Sequence, residues 1–498
     1  MTDATRELDE PEAAGAWTGG RLDGVVLTVA FVASRVFADR VLGLHFDPSA
    51  LVWCVQFLDP VLLRDDLARS LWWLHAQPPL FNLFLGLGMK AFSETGPGFG
   101  LLFRAASLAL VLALHALLRR LGVRRGWALG ACLLFLASPA LFYCECWLYY
   151  TLFEALLLVL TCIGFARLVA RPTTGRFAEF LAWPTLLCLL RSTFQPAWLA
   201  AMALVPLVTL PGLRRARTAW AVFFLLLLPP LAWCAKNAAV FGFFGTSSWA
   251  GMHLLRVAGA DVTLDEKRDL VREGAVSPLV LTRPFGELPE YPREWTDVPA
   301  RGHAAVDSPT KLFGMNNYNH ASYVGIARQL RHDSGVLARR RPDALLAAWR
   351  RGWALFFEPT ETYPLFAAWK VPGMESWRRL FDLVVLWTLP AGLGGTSLLF
   401  LLAFAVALPA CSLASARRLA RGTGRPQDPA ILFAAANLLY VAIVSNAADL
   451  GENQRFKFTI EPLLWAFLAL GGQGLRARLA GVDTADSTPS ETRTTSRR

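Results

Sequence analysis

Two stretches of this chain carry residue types suited to proton transfer and to holding an anion. The first, LDPVLLRDDLARSLWWLHAQPPLFNLFLG, contains Asp59, Asp65, Asp66, His75 and Gln77. A carboxylate there can take a proton from an attacking hydroxyl if its pKa and geometry suit. Asp59 stands between apolar Leu58 and Pro60, where an idle charge is out of place, whereas Asp65 and Asp66 fit equally the solvated face of an interfacial helix. His75 suits either a phosphate contact or a hydrogen bond at a helix start. The second stretch, GENQRFKFTIEP, sets Arg455 and Lys457 two apart, on one face if the run is extended, with an aromatic on each side. That pattern is a candidate phosphate clamp. Glu452 and Glu461 either hold those cations or balance charge at a membrane edge.

Isolated ionisable residues complete the set: Glu145, Arg191, Lys236 and Asp449, each at the boundary of an apolar block. Such groups are costly near lipid unless they line a polar cavity, so their placement predicts one shared site, with snorkelling of Arg191 and Lys236 as the plainer alternative. The run NNYNHASY, with Asn316, Asn319, His320 and Tyr323, is a candidate acceptor-side contact. Trp249, Trp295 and Trp353 are either sugar platforms or interface anchors.

The elements that must position these residues are membrane helices. Of 498 residues, 54% are hydrophobic and 17% charged, too apolar for a soluble chain of this length. The apolar residues come in blocks of roughly 15 to 25, a helical crossing length, which excludes a strand-built barrel. The blocks run 22–44, 100–118, 127–143, 147–168, 180–190, 196–210, 219–239, 383–411, 430–444 and 462–475. They predict an all-α polytopic membrane protein of roughly ten transmembrane helices. The short block 78–92 is expected to be re-entrant or juxtamembrane. Counting it as a span would turn the next four basic loops outward.

Those basic loops contain Arg119, Arg120, Arg124 and Arg125; Arg167, Arg171 and Arg176; Arg214, Arg215 and Arg217; Arg417, Arg418, Arg421 and Arg425; and Arg476 and Arg478. All are expected on the cytoplasmic side. Retention there accounts for the net charge of +11 without nucleic acid. The expected plan is a cytoplasmic leader 1–21, a transmembrane module 22–240 with an external loop 45–77, a mixed external segment 241–380, a second transmembrane module 381–476 and a disordered cytoplasmic tail 477–498. Residues 343–357 show helical spacing suited to lying along the interface. The eight cysteines form neither a disulfide framework nor a zinc pattern.

The acidic external loop, the HAQPPLFN segment and the late ENQRFKF run resemble the integral-membrane glycosyltransferases of the GT-C class, in particular the protein-mannosyltransferase and aminoarabinose-transferase-like branch. The likeness covers the first 240 residues and the last 70. It implies a site facing the periplasm or cell exterior that uses a polyprenyl-phosphate sugar as donor and a glycan, lipid or protein as acceptor. A loop Asp would be the base, with late cations on the lipid phosphate. The chain departs from the family where Asp59 is followed by Pro60 rather than a second acid, and where Ala76 and Gln77 precede the prolines. No Asp-x-Asp element stands in the outer loops, so no metal ligand is expected and a divalent ion is left open. The rival reading is a transporter or lipid flippase, which would show paired helix halves and charges near the midplane. A further rival is a scaffold indifferent to loss of its loop carboxylates.

Overall fold

The computed structural model describes residues 10–389 and 395–480. Residues 1–9 of the expected leader and 481–498 of the expected tail lie outside them. Among the described residues there are no strands, and single-residue pairings such as Thr310 with Asn316 are the closest approach to one. Five helices are long and apolar enough to cross a membrane: Thr95–Arg120, Thr151–Ala170, Arg217–Phe241, Leu398–Ala420 and Asp428–Ala448. The pair Arg125–Leu136 and Pro139–Cys146 makes a sixth if counted as one bent span. The chain is thus a multi-pass helical membrane protein. Not all ten expected blocks form helices of that length and apolarity. Leu80–Ala91 and Pro196–Thr209 are shorter, and for Leu80–Ala91 the 12 residues give about 18 Å, less than a bilayer core.

Three expectations are corrected. The block 127–143 bends by 55° because Pro139, at the first turn of the following helix, has no N–H to continue the ladder. The carbonyls released there are taken up, Leu136 O by Arg35 (3.3 Å) and Ala137 O by Trp377 Nε1 (3.0 Å). The block 383–411 is interrupted: one helix, Pro372–Val384, ends there, and the span is Leu398–Ala420. Finally, the segment 241–380 is helical, not mixed. Its chain breaks are prolines at first turns, as in Pro342–Phe357 and Pro372–Val384, with Pro364 opening a further short turn.

The two ends of the bundle differ in chemistry. Basic loops meet at one end: Gln473 accepts from Arg124 N (2.6 Å) and donates to Gly122 O (3.1 Å), Thr174 meets Thr218 (3.3 Å), and Arg167 and Arg176 share Glu179. At the other end the first loop packs on the segment after Phe241. His75 Nδ1 meets Ser248 Oγ (2.8 Å), and Lys311 Nζ donates to Cys54 O (2.9 Å) and Phe57 O (3.1 Å). The long segment is therefore a docked layer whose helices pack closely. Ala250–Ala258 lies on Ser322–Arg340 so tightly that a Cβ on Gly251 would overlap Ala327 O and stand 2.6 Å from Arg331 N. Backbone cannot yield as a side chain can. Gly251→Ala is expected to cost about 1–3 kcal/mol by overpacking, read as a lower thermal midpoint in detergent.

Helix Pro342–Phe357 buries Ala344, Ala348, Gly352 and Phe356, one residue per turn, and exposes Leu346 and Trp349.

Candidate functional site

The late run is helical from Asn453 onward, which overturns the extended reading of Arg455 and Lys457. Residues two apart on a helix point about 200° from each other. Their side chains accordingly enter different surroundings.

Arg455, 1% exposed, turns towards helix Thr151–Ala170 and the two tyrosines before it. Its Cζ lies 4.7 Å from the Tyr149 ring, 5.8 Å from Tyr150, 5.7 Å from Tyr363 and 4.8 Å from Phe456. One nitrogen donates to Thr151 Oγ1 (3.4 Å) and another pairs with Glu452. Arg191, also buried, has its Cζ 4.6 Å from the same Tyr150 ring and 4.8 Å from the same Phe456 ring. Its Nε is 3.3 Å from Glu154 Oε1, whose other oxygen accepts from Thr459 (3.2 Å). Two guanidinium groups from widely separated spans thus share two aromatic faces, an arrangement that suits arginine better than lysine. Arg191 NH1 and Arg455 Nε are buried donors without a protein acceptor, and an unmade bond of that kind is expensive.

Glu452 bridges outward: Oε2 pairs with Arg455, while Oε1 is 3.4 Å from Arg256 NH1. Arg256 in turn holds Asp449 (3.0 Å), which also meets His253 (2.5 Å). Lys457 faces the opposite side, donating to Glu358 O and sitting 4.7 Å over the Phe400 ring, in the field of Glu461 and Glu361.

The remaining expected residues form separate groups rather than one site. Glu145 is paired with Arg35, accepting from Nε (2.8 Å) and NH2 (2.5 Å), while Arg35 also donates to Ser107 (3.0 Å) and packs on Phe31 and Phe142. A buried carboxylate with a two-point guanidinium partner is already satisfied. Lys236 donates to Leu74 O (2.5 Å) and lies over Trp233 and Phe241, a set of partners disjoint from that of Arg455.

Asp59 caps the short helix Pro60–Asp65. One oxygen accepts from Val61 N (2.8 Å) and the other from Leu312 N (2.7 Å). It borders a cavity of about 170 Å³ shared with Lys311 and Asn317. Burial pulls Lys311 below the usual lysine value, with Cys54 and Asp59 acting in the opposite sense. Between Asp59 and the arginines lies an aromatic layer in which Phe57 meets Tyr149 at 5.9 Å. Asp65 is exposed, and Asp66 accepts from His303 Nε2 (3.1 Å).

The HAQPPLFN and NNYNHASY runs hold each other. Asn319 Oδ1 accepts from His75 N (2.9 Å) and Ala76 N (3.0 Å), while its Nδ2 donates to Trp73 O and Ala305 O. Within the first loop Asn82 Oδ1 accepts from Leu58 N (2.8 Å). Asn316 donates to Tyr323 OH (2.7 Å), and His320 Nδ1 accepts from Ser322 N (3.3 Å). Gln77 is buried beside them. Trp249 is fully buried and donates to Tyr318 O (3.1 Å), so it offers no open face to a sugar.

His75 sits in this clasp with Nε2 unpartnered. Burial, then Lys236 and Arg301, push it down to about 3, so it is neutral when folded. The unfolded chain protonates it below about pH 6.5. A depressed histidine therefore withdraws stability as pH falls from about 6.5 towards 3. The thermal midpoint is expected to fall on acidification across that window, and by less in His75→Asn.

Sequence reasoning passed over Arg35, Tyr149, Tyr150, Glu154, Glu361 and Asp382. Arg35 and Glu154 had a usable signal, each being an ionisable residue inside an apolar block.

No protein-family model matches the chain, and no curated protein matches it. Among solved structures it is similar to ArnT from Cupriavidus metallidurans, crystallised bound to undecaprenyl phosphate. Identity is 15%, over 94% of this chain and 80% of that one, with a TM-score of 0.31.

Proposed function

We propose that this chain is a membrane glycosyltransferase. It takes a sugar from a polyprenyl-phosphate donor and passes it to an acceptor hydroxyl on the side opposite the basic loops. The observation that carries the reading is the pair Arg191 and Arg455 over Tyr150 and Phe456, each with a buried N–H lacking an acceptor. Such donors suit the oxygens of a departing phosphate, whose charge grows as the glycosidic bond breaks. Glu452 occupies the anion position in the resting site. When phosphate binds, that carboxylate turns from Arg455 to its other partner, Arg256. Tyr149, Tyr150 and Tyr363 exclude water around the pair and so strengthen it.

With the Phe57 and Tyr149 rings displaced by the bound donor, the acceptor hydroxyl gives its proton to Asp59 and attacks the anomeric carbon as the phosphate leaves, inverting that centre. Asp59 keeps lone pairs free beyond its two backbone bonds. The test is transfer of labelled sugar from isolated polyprenyl-phosphate donors by membranes bearing the native chain or Asp59→Asn. Asn retains the helix cap but turns an N–H towards Leu312 N, so thermal stability is measured alongside. Transfer by the native chain and its loss in a stable Asp59→Asn protein is the expected result. Transfer that persists moves the base elsewhere, and none by the native chain from any donor removes the enzyme reading.

A further inference from the structure

On the far side of the strap that carries Tyr363 lies a cavity of about 470 Å³ whose lining includes Tyr143, Glu361, Phe366, Trp369, Glu375 and Arg378, with Lys370 at its rim. Its volume is that of a small-molecule site. Its walls mix chemistry in an informative way. The buried rings of Tyr143 and Phe366 stack on each other at 5.3 Å and 17°, and Tyr143 backs the half-buried Trp369 ring at 5.9 Å, which presents the aromatic face.

Glu361 is 2% exposed, and its Oε1 has no donor from the protein. Asp382 lies against it and also has a donorless oxygen, Oδ1. Arg378 pins the arrangement, donating to Glu375 (2.8 and 3.0 Å) and to Asp382 (3.2 Å). An ammonium ligand would face Arg378 and Lys370, and an anion would face Glu361 and Glu375. A neutral polyhydroxyl ring meets both, since each hydroxyl donates to a carboxylate and accepts from a cation, while its apolar face lies on the Trp369 ring.

We infer that this cavity is a carbohydrate-binding site, taking a pyranose ring with Glu361 and Arg378 on its hydroxyls and Trp369 against its face. A layer of packed rings lies against both the cavity and the arginine pair: Phe366 is 5.6 Å from Tyr363 and 5.1 Å from Trp147, which stacks on Tyr149 at 4.2 Å. Resting on the transferase reading, the bound ring belongs to the acceptor, which is thereby a glycan or glycolipid. The binding itself does not depend on that reading.

The experiment is saturation-transfer NMR on the full-length protein in detergent, using soluble methyl pyranosides of glucose, mannose, galactose and arabinose as probes, with cyclohexanol as an apolar control. Native protein is expected to transfer saturation to at least one pyranoside and not to cyclohexanol. Glu361→Gln and Trp369→Ala are each expected to lower that signal at least tenfold. Glu361→Gln, which keeps the side-chain volume, is the variant to read if Trp369→Ala lowers the thermal midpoint. The inference is overturned if the native chain gives no pyranoside signal, if cyclohexanol matches it, or if Glu361→Gln leaves it unchanged. Sugar binding lost in the variants, in a chain that transfers nothing, removes the transferase reading and keeps this one. Transfer without pyranoside binding does the reverse.

Discussion

Arg455→Gln is expected to lower sugar transfer by about 10²- to 10³-fold, the scale seen when one donor to a developing charge is removed from a closed site. The variant loses the contacts to Glu452 and Thr151 and the stacking over Tyr149 and Phe456. Arg455→Lys separates charge from shape: a lysine keeps the cation but cannot span Tyr149 and Phe456 with a planar fork. It is expected to recover only a small part of the activity. The check is initial rate of transfer against donor concentration, with the amount of folded protein matched. A fall confined to apparent donor affinity would mean that Arg455 binds donor and transition state equally, whereas a fall in the maximal rate places it on the charge that develops. If Arg455→Gln transfers at the native rate, the phosphate does not sit there.

Arg35→Met is expected to destabilise the protein by about 3–5 kcal/mol, because it leaves Glu145 charged, buried and unpaired. Met fills most of the volume and keeps contact with Phe31 and Phe142, so the loss is electrostatic rather than steric. Glu145→Met leaves Arg35 in the converse position. The double variant Arg35→Met with Glu145→Met is expected to regain most of the stability lost by either alone, as buried pairs replaced by apolar residues commonly do. Thermal midpoints of the four proteins in one detergent check this. Additive losses would mean that the two side chains do not depend on each other. Recovery of stability together with sugar transfer would establish Glu145 as a structural partner of Arg35.

The sequence discloses what depends on composition and local length. The basic loops could be assigned together because charge resists crossing the membrane, and the structure gathers 119–125, 167–176 and the region around Gln473 at one end. The length of block 78–92 together with the alternation of the basic loops kept it from being counted as a span, and its helix has 12 residues. What depends on the rotation of one helix against another was not legible. Glu145 and Arg35 are 110 residues apart, and nothing local says that this arginine, rather than Arg191 or Arg455, meets that carboxylate. The late run misled because the apolar block begins only at Pro462, which left the polar residues before it to be read as extended. The helix instead begins nine residues earlier, where Asn453 is held by Asn446 (2.9 Å) and the carbonyl of Gln454 by Thr360 (3.2 Å). Those tertiary bonds fix a turn that propensity leaves undecided. Asn319 shows the same limit, since its four bonds could be described only after the two runs were seen side by side.

The reach of Arg455 to Thr151, across 304 residues, also bears on the order of assembly during synthesis. Tyr149, Tyr150 and Glu154 enter the membrane early, yet the guanidinium that covers the two rings and the threonine that meets Glu154 arrive with nearly the last helix. Until then the growing chain holds a half-built polar seam against lipid or against Arg191 alone. Contacts of such long sequence separation form slowly and leave intermediates exposed. The site is therefore closed only once the helix from Asn453 has been added, and a ribosome that stops short of residue 453 releases a bundle whose inner polar groups remain unclosed.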